Sequence, residues 1–346
     1  RAMSTPLTVR MFVYGSAETE AFERVRAALP CYRGLPSEAA PTGLDCLLVS
    51  REQQPVARAS LCVAAELHGV PGTSGLIGHF EAHDAAAAQA LLVEARAALA
   101  ARGVRRVLAP MNGSTWGRYR LTLPGEGAAA PTLHEPPPFL GEPVNPAEYP
   151  AWFEAAGFDV AARYESRIDE KPEALAADAS ELSERVKRAG IRVRTLDPWR
   201  FAAELRVPYE LSLATFADNL YYTPVTWEEF EPQYEKLRGM LRPELVLIAE
   251  NAEGRPVAFQ FAYLDPFAAA AGLSPRAIVK TVATLPEARG MGLAGHMLDL
   301  LRERAVACGA RSVIHALMHV ANFSMKMSSR HHSRVFRRYA LYEWRP

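Results

Sequence analysis

Residues 281 to 295 read Thr281-Val-Ala-Thr-Leu-Pro-Glu-Ala-Arg-Gly-Met-Gly-Leu-Ala-Gly295. A short apolar strand stops at Pro286, a glycine-rich turn follows, and a helix then begins that runs to about Cys308. A strand, glycine turn and helix in this order aim consecutive backbone N–H groups into one concavity, and the helix dipole adds positive potential there. Glycine suits the turn because a Cβ would obstruct a phosphate. The stretch predicts a pyrophosphate site and restricts the fold to those in which a strand feeds such a helix.

Two registers fit the glycines. Gly290-Met-Gly292-Leu-Ala-Gly295 satisfies G-x-G-x-x-G, the dinucleotide fingerprint. Too little chain follows Gly295 to complete a doubly wound nucleotide domain, however, and no acidic residue ends the next strand, Arg311–Val320. Pro286-Glu-Ala-Arg289 also separates the strand from glycines that a dinucleotide turn would keep close. The other register is Arg289-x-x-Gly292-x-Ala294, preceded by Val282-x-x-x-Pro286. It resembles the acyl-coenzyme A loop of the GNAT acetyltransferase superfamily, Gln/Arg-x-x-Gly-x-Gly/Ala after a strand and a proline. The resemblance continues through the strand Arg311–Val320, Asn322 where the family opens a further helix, and Tyr339–Trp344 as a closing strand.

Length and composition suit that family. A chain of 346 residues accommodates two domains, and 49% hydrophobic residues with zero formal charge give a well-buried core and no electrostatic case for nucleic acid. No apolar run is long enough to span a bilayer, and the N-terminus lacks a secretory layout, so a cytoplasmic location is expected. Arg1-Ala2 before Met3 reads as a cloning remnant. Cys31, Cys46, Cys62 and Cys308 have no metal-ligand spacing; no metal is expected, and the thiols read as buried and reduced.

The expected fold is α/β, an α+β mixed sheet in each of two tandem GNAT-like domains flanked by helices. Residues 3–170 form the first domain, 171–189 a linking helix, and 190–346 the coenzyme-binding, catalytic domain. In the first, Asp45–Ser50 and Val56–Ala64 make a hairpin, Gly75–Phe80 precedes a helix from Ala85 to Ala101, and Arg105–Ala109 is the next strand. Trp152–Phe158 resembles the helix-to-Gly-Phe step that ends many GNAT domains. The turn before the first helix is Glu81-Ala-His-Asp84, with two acids where phosphates would sit, so this domain reads as a degenerate repeat. An unrelated α/β domain is the alternative. Residues 124–150, rich in Pro, Gly and Ala, read as a surface loop, with a lid between the domains as the other possibility.

The resemblance implies an acyltransferase in which an amine attacks a thioester directly, with acetyl-CoA as co-substrate and a small-molecule or protein amine as acceptor. It assigns Val282, Ala283 and Thr284 to the pantetheine arm, Arg289, Gly290, Met291, Gly292, Leu293, Ala294 and Gly295 to the pyrophosphate, and Asn322 to the arm. Many members carry Tyr seven residues after that Asn as the thiolate's acid; here the position is Ser329, a poor acid. Where terminal-amine acetyltransferases carry a Glu base, five residues before the Asn, this chain has Leu317. Alternation puts His315, Leu317 and His319 on one face, making His319 the available base, against a structural histidine on a cleft wall. Lys280 is the conspicuous charge on the preceding strand, and a cation serves as base only if strongly desolvated. Glu210 or Asp218 would hold a substrate ammonium and Tyr221 or Tyr222 line its pocket, unless the tyrosines are packing residues. The basic cluster Lys326, Arg330, His331, His332, Arg334, Arg337 and Arg338 is either a phosphate contact or a solvated face. The missing Tyr leaves a second function, a non-catalytic acyl-CoA-binding protein on the same fold. The sequence leaves the oligomeric state open.

Overall fold

The computed structural model describes residues 6–64, 66–125 and 136–345. Arg1, Ala2 and the middle of the 124–150 excursion lie outside the described residues. In chain order the elements are β1 (Leu7–Val13), α1 (Thr19–Ala27), β2 (Asp45–Arg51), β3 (Gln54–Ala64), β4 (Ser74–Ala82), α2 (Ala85–Ala100), β5 (Val107–Ala109), β6 (Leu121–Thr122), α3 (Tyr149–Ala155) and β7 (Asp159–Asp169). The second half comprises α4 (Ala179–Arg188), β8 (Arg192–Thr195), α5 (Phe201–Phe216), α6 (Trp227–Glu235), β9 (Val246–Glu250), β10 (Pro256–Leu264), α7 (Pro266–Ala270), β11 (Arg276–Thr284), α8 (Leu293–Ala307), β12 (Ser312–His319), α9 (Phe323–Ser329) and β13 (Ser333–Trp344).

All strands join one sheet in the order β1-β2-β3-β4-β5-β13-β7-β12-β11-β10-β9-β8, with β6 paired to β13. The closing strands are exchanged. β7, from the first half, lies against β12 of the second, and β13, which ends the chain, lies against β5 of the first. β7 and β13 pair antiparallel from Ser333↔Asp169 to Glu343↔Asp159. A cut at 171–189 therefore divides the sequence but not the sheet, because each half completes the other's hydrogen-bond ladder.

Helices cover both faces. The apolar stripe of α2, Leu91, Leu92, Ala95 and Leu99, packs with Phe153 of α3 on strands of the first half. On the second half, Met297, Leu298 and Leu301 of α8 join Val186 of α4 over β9 to β12. The opposite face carries Phe201, Leu205 and Leu211 of α5 with Phe230 of α6. Neither β1 nor α1 was expected from the sequence. The linking helix is shorter than expected: it begins at Ala179, not near Pro172. Arg302 binds the Lys171 and Ala174 carbonyls at 3.2 and 3.1 Å, which holds that backbone in turns instead of a helix.

The excursion at 124–150 is not a plain surface loop where it is described. Phe139 and Glu142 are buried, and Arg337 Nε donates to Glu142 at 2.7 Å. The Leu140 N–H donates to Asp265 at 3.1 Å, its carbonyl accepts from Tyr263, and Arg276 donates to the Pro137 carbonyl at 2.8 Å. These bonds strap the segment across the second half. Proline and glycine made it read as solvent-facing, but carbonyls in an irregular chain can still be satisfied by buried arginines.

Buried histidines add a pH dependence. Burial pushes the His315 imidazole down to about 3 and that of its neighbour His331 to about 4, with Arg302 and Arg330 adding to the latter. His79 is likewise lowered to about 4. An unfolded histidine titrates near ~6.5. Between that value and the folded ones, the unfolded chain binds protons that the native state does not, so stability is full above the window and falls as pH drops through it. Thermal midpoints should fall between pH 7 and pH 5, and His331→Gln should flatten the slope.

Candidate active site

The site begins where two parallel strands part. β11 and β12 pair only from Arg276↔Ser312 to Val279↔His315. Beyond that, residues 280–284 and 316–319 turn unpaired edges toward each other. Both strands are irregular at the fork. Lys280 is the extra residue in β11, between Val279↔Ala262 and Thr281↔Phe261. In β12 the register shifts between His315 and Met318, and Leu317 has φ 56°. A leucine in the left-handed region is strained and must be held by its surroundings. Its N–H donates to Ser166 Oγ at 2.9 Å and its carbonyl accepts from Arg120 Nη1 at 3.0 Å. The bulge also breaks the expected alternation. His315 stays buried near Arg302 beneath α8, whereas Leu317 packs with the clusters of the opposite face, so His315, Leu317 and His319 do not share one face.

The loop after β11 presents a row of donors. Gly290 and Gly292 take φ 81° and 84°, and Gly292 is the N-terminal cap of α8. The first intrahelical bond comes from His296 N–H to the Gly292 carbonyl. Among the described residues, no hydrogen bond within the protein takes the N–H groups of Gly290, Met291, Gly292, Leu293, Ala294 or Gly295. The carbonyls here are anchored instead. Gln260, wholly buried, donates to the Ala294 carbonyl at 2.7 Å, Arg185 to that of Gly290 at 3.0 Å, and Arg289 to that of Thr284 at 3.0 Å. Anchored carbonyls with free N–H groups at a helix start form an anion nest.

The reason for glycine differs by position. A Cβ on Gly292 would stand 2.4 Å from Leu182 of α4, and one on Gly295 2.6 Å from Arg330. Those glycines make room for protein. Gly290 has nothing within 4 Å of where a Cβ would be, so there the approach is open. Val282, Ala283 and Thr284 pair with Gln260, Phe259 and Ala258 of β10 and leave their other edge toward β12. Asn322 caps α9, is exposed, and makes no side-chain cap bond.

The first half repeats the fork but fills it. β4 and β5 pair only at Gly75↔Val107 and Leu76↔Leu108. His79, at φ 49°, is the extra residue of β4, as Lys280 is of β11. Here Met111 N–H donates to the Ile77 carbonyl at 2.8 Å and the His79 N–H to Asn112 Oδ1 at 2.7 Å. Asp84 caps α2 with its own carboxylate, accepting from Ala87 N–H at 3.0 Å, so a protein carboxylate already takes the helix start.

The proton-handling candidates are placed unevenly. His319 Nδ1 accepts from the Ala321 N–H at 3.1 Å, and the ring lies edge-on to Tyr164 at 5.1 Å. A backbone N–H can only donate, so the neutral ring carries its hydrogen on Nε2 and is a donor there. Burial and then Arg120 hold its pKa below the usual value. Ser329 is exposed and donates to the Lys326 carbonyl at 2.8 Å. Lys280 opens to solvent within the fork yet is enclosed by protein on most sides; that desolvation, then Arg120 and Arg118, lowers its pKa.

Glu210 and Asp218 are both exposed. Tyr221 is buried against Leu76, Leu108 and Met111, and Tyr222 edge-on to Trp116 at 6.2 Å. Both tyrosine rings thus pack the α5–α6 connection on to the first half, where His68 exchanges backbone bonds with them. The basic cluster near the C-terminus proves largely neutralised. Arg330 pairs with Asp178 and Asp299, Arg334 with Glu170, and Arg337 with Glu142. It is neither a free phosphate contact nor a simple solvated face, because carboxylates distant in sequence meet it.

The mixed sheet, forked parallel strands and nest-bearing helix give the chain a fold similar to that of GNAT acetyltransferases. Residues 209–326, about a third of the chain, match the family model described as Acetyltransferase (GNAT) family. No curated protein matches the sequence. Among solved structures, the chain is similar to a GNAT N-acetyltransferase from Sphaerobacter thermophilus, with 15% identity, 99% of this chain and 98% of that one covered, and a TM-score of 0.53. A tandem GNAT protein from the clavulanic acid pathway gives 14%, 98% of both chains and 0.54. The glucosamine N-acetyltransferase region of a fungal multi-domain β-N-acetylglucosaminidase gives 12% and 0.61, with 99% of this chain but 38% of that one covered. These likenesses are to the fold. Among the described residues no helix is long and apolar enough to cross a membrane.

Proposed function

We propose that the chain is an N-acyltransferase that moves an acyl group, acetyl in the simplest case, from acyl-CoA directly to an amine. The observation that carries this reading is the row of unbonded N–H groups at 290–295, at the end of a strand whose inner edge is open. The residues fit the co-substrate: Gly290 to Gly295 offer donors for a pyrophosphate with Arg289 beside them, and Val282, Ala283, Thr284 and Asn322 offer groups for an amide-bearing arm. Bound acyl-CoA would supply the activated thioester. The chain's part is to align the amine with it, withhold water and manage one proton at each end.

His319, with its hydrogen on Nε2, is suited to donate to the departing sulfur, and it serves as a base only after releasing Ala321. Ser329 is a weaker second donor because its hydroxyl is already engaged. A thiol ionises near ~8.5 and leaves without much help. His319→Ala should therefore lower kcat by about tenfold, less than the ~100-fold at the low end of general acid–base contributions, while leaving coenzyme affinity intact. An unchanged kcat and pH profile would remove His319 from the reaction. Steady-state thiol release across an amine panel tests the whole reading: tight acyl-CoA binding that no amine ever turns into thiol release would leave a binding protein.

A further inference from the structure

A cationic region joins the fork of β11 and β12 to the first half through Arg120, which donates to the Leu317 carbonyl at 3.0 Å and lines a cavity there. Three cations define it: Lys280 on β11, and Arg118 and Arg120 between β5 and β6. Its inner end is a cavity of about 70 Å³, walled by Arg118, Arg120, Arg26, Arg58, Glu38 and His79 among others. The strap at 136–145 closes one side: Pro143, Val144 and Asn145 line the cavity, and a Cβ on Gly141 would stand 3.4 Å from Lys280 Nζ.

The charges there do not balance. Arg26 is paired with Glu81 at 2.9 Å, and Glu81 also accepts from Tyr32 and Tyr149 at 2.6 and 3.0 Å, so that carboxylate is fully engaged. Arg58 pairs with Glu23 at 2.8 Å. Arg118 comes no nearer to Glu38 than 3.8 Å through its guanidinium. Arg120 bonds only to the Tyr119 and Leu317 carbonyls, lies 3.9 and 4.4 Å from the Tyr119 and Tyr164 ring centres, and has no carboxylate partner among the described residues. Lys280 likewise forms no ion pair among the described residues. His79 is 7% exposed, and its Nδ1 is 2.7 Å from Ser60 Oγ. Three close cations with only Glu38, 3.8 Å from Arg118, to offset them repel one another and are eased by an anion between them.

We propose that this region holds the acceptor by a carboxylate or phosphate, so that the acylated amine belongs to a small anionic molecule. Arg118 and Arg120 take the anionic group, and Lys280 stands between it and the transfer point. The same field answers the absence of a base. Nearby cations disfavour an ammonium, so the bound amine loses its proton to water more readily and attacks as the neutral nucleophile. The proposal rests on the acyltransferase reading above.

Its test is thiol release from acetyl-CoA by the intact protein with matched amines, each as carboxylate and primary amide, or as phosphate monoester and alcohol. The anionic member should be preferred in kcat/KM by about tenfold or more, the scale of a charge-assisted bond, with the preference shrinking at high salt. Arg118→Gln should collapse it chiefly through KM. Equal or better use of the neutral members overturns the proposal and leaves the acyltransferase reading standing. If no amine releases thiol, that reading fails, and calorimetric binding of malonate and inorganic phosphate decides the cationic region on its own. Binding lost in Arg118→Gln supports an anion site, and no binding to the unaltered protein overturns it.

Discussion

Gly292→Glu should abolish measurable acyl-CoA binding, a loss of at least about hundredfold, and destabilise the fold by about 2–5 kcal/mol. The stability loss combines a side chain at φ 84° with overpacking against Leu182, 2.4 Å from the new Cβ. The affinity loss comes from a carboxylate among N–H groups that otherwise face an anion. Leu182→Ala separates the two. It removes the clashing neighbour and costs about 2–3 kcal/mol as a large-to-small change, but leaves every N–H in place, so affinity should stay within a few-fold. Titration calorimetry with coenzyme A, beside thermal melts, reads both quantities. Retained affinity in a folded Gly292→Glu protein would show that the loop is not the coenzyme site.

Asp169→Ala should cost about 3–5 kcal/mol, because it strands a buried cation. Arg302 of α8 donates to Asp169 Oδ2 from Nε and Nη2 at 3.1 and 2.7 Å, and both side chains are almost wholly buried. Asp169 ends β7 opposite Val313 of β12 and Ser333 of β13, where the exchanged strands meet, so the loss should appear as cooperative unfolding of the whole sheet. Denaturant titration measures it. Replacing both partners with apolar residues, Asp169→Leu with Arg302→Met, should recover part of the loss. A single variant as stable as the parent would mean that solvent reaches the arginine.

Several features were legible because their physics is local. The glycine turn, the hairpin Asp45–Ala64, helix α2 and Asn322 at the head of α9 follow from backbone freedom, alternation and capping over a few residues. His319 was found by its residue type and position, but its tautomer was not, since the Ala321 N–H becomes its partner only through a turn after β12. The Leu317 bulge defeated the alternation argument because the strain is held from outside the strand, by Ser166 and Arg120. The C-terminal cluster looked basic only because Asp178, Asp299, Glu170 and Glu142 are far away in sequence.

By itself the sequence determined the anion nest of this protein: a strand, two left-handed glycines and a helix start specify it wherever they are folded, because the N–H groups belong to one continuous backbone segment. Only the tertiary structure decided the rest. It exchanged β7 and β13 between the halves, filled the first fork with Met111 and Asn112 while leaving the second open, and brought Arg118 and Arg120 within electrostatic reach of Lys280. Those outcomes depend on contacts between residues from about thirty to more than two hundred positions apart, which no local pattern encodes.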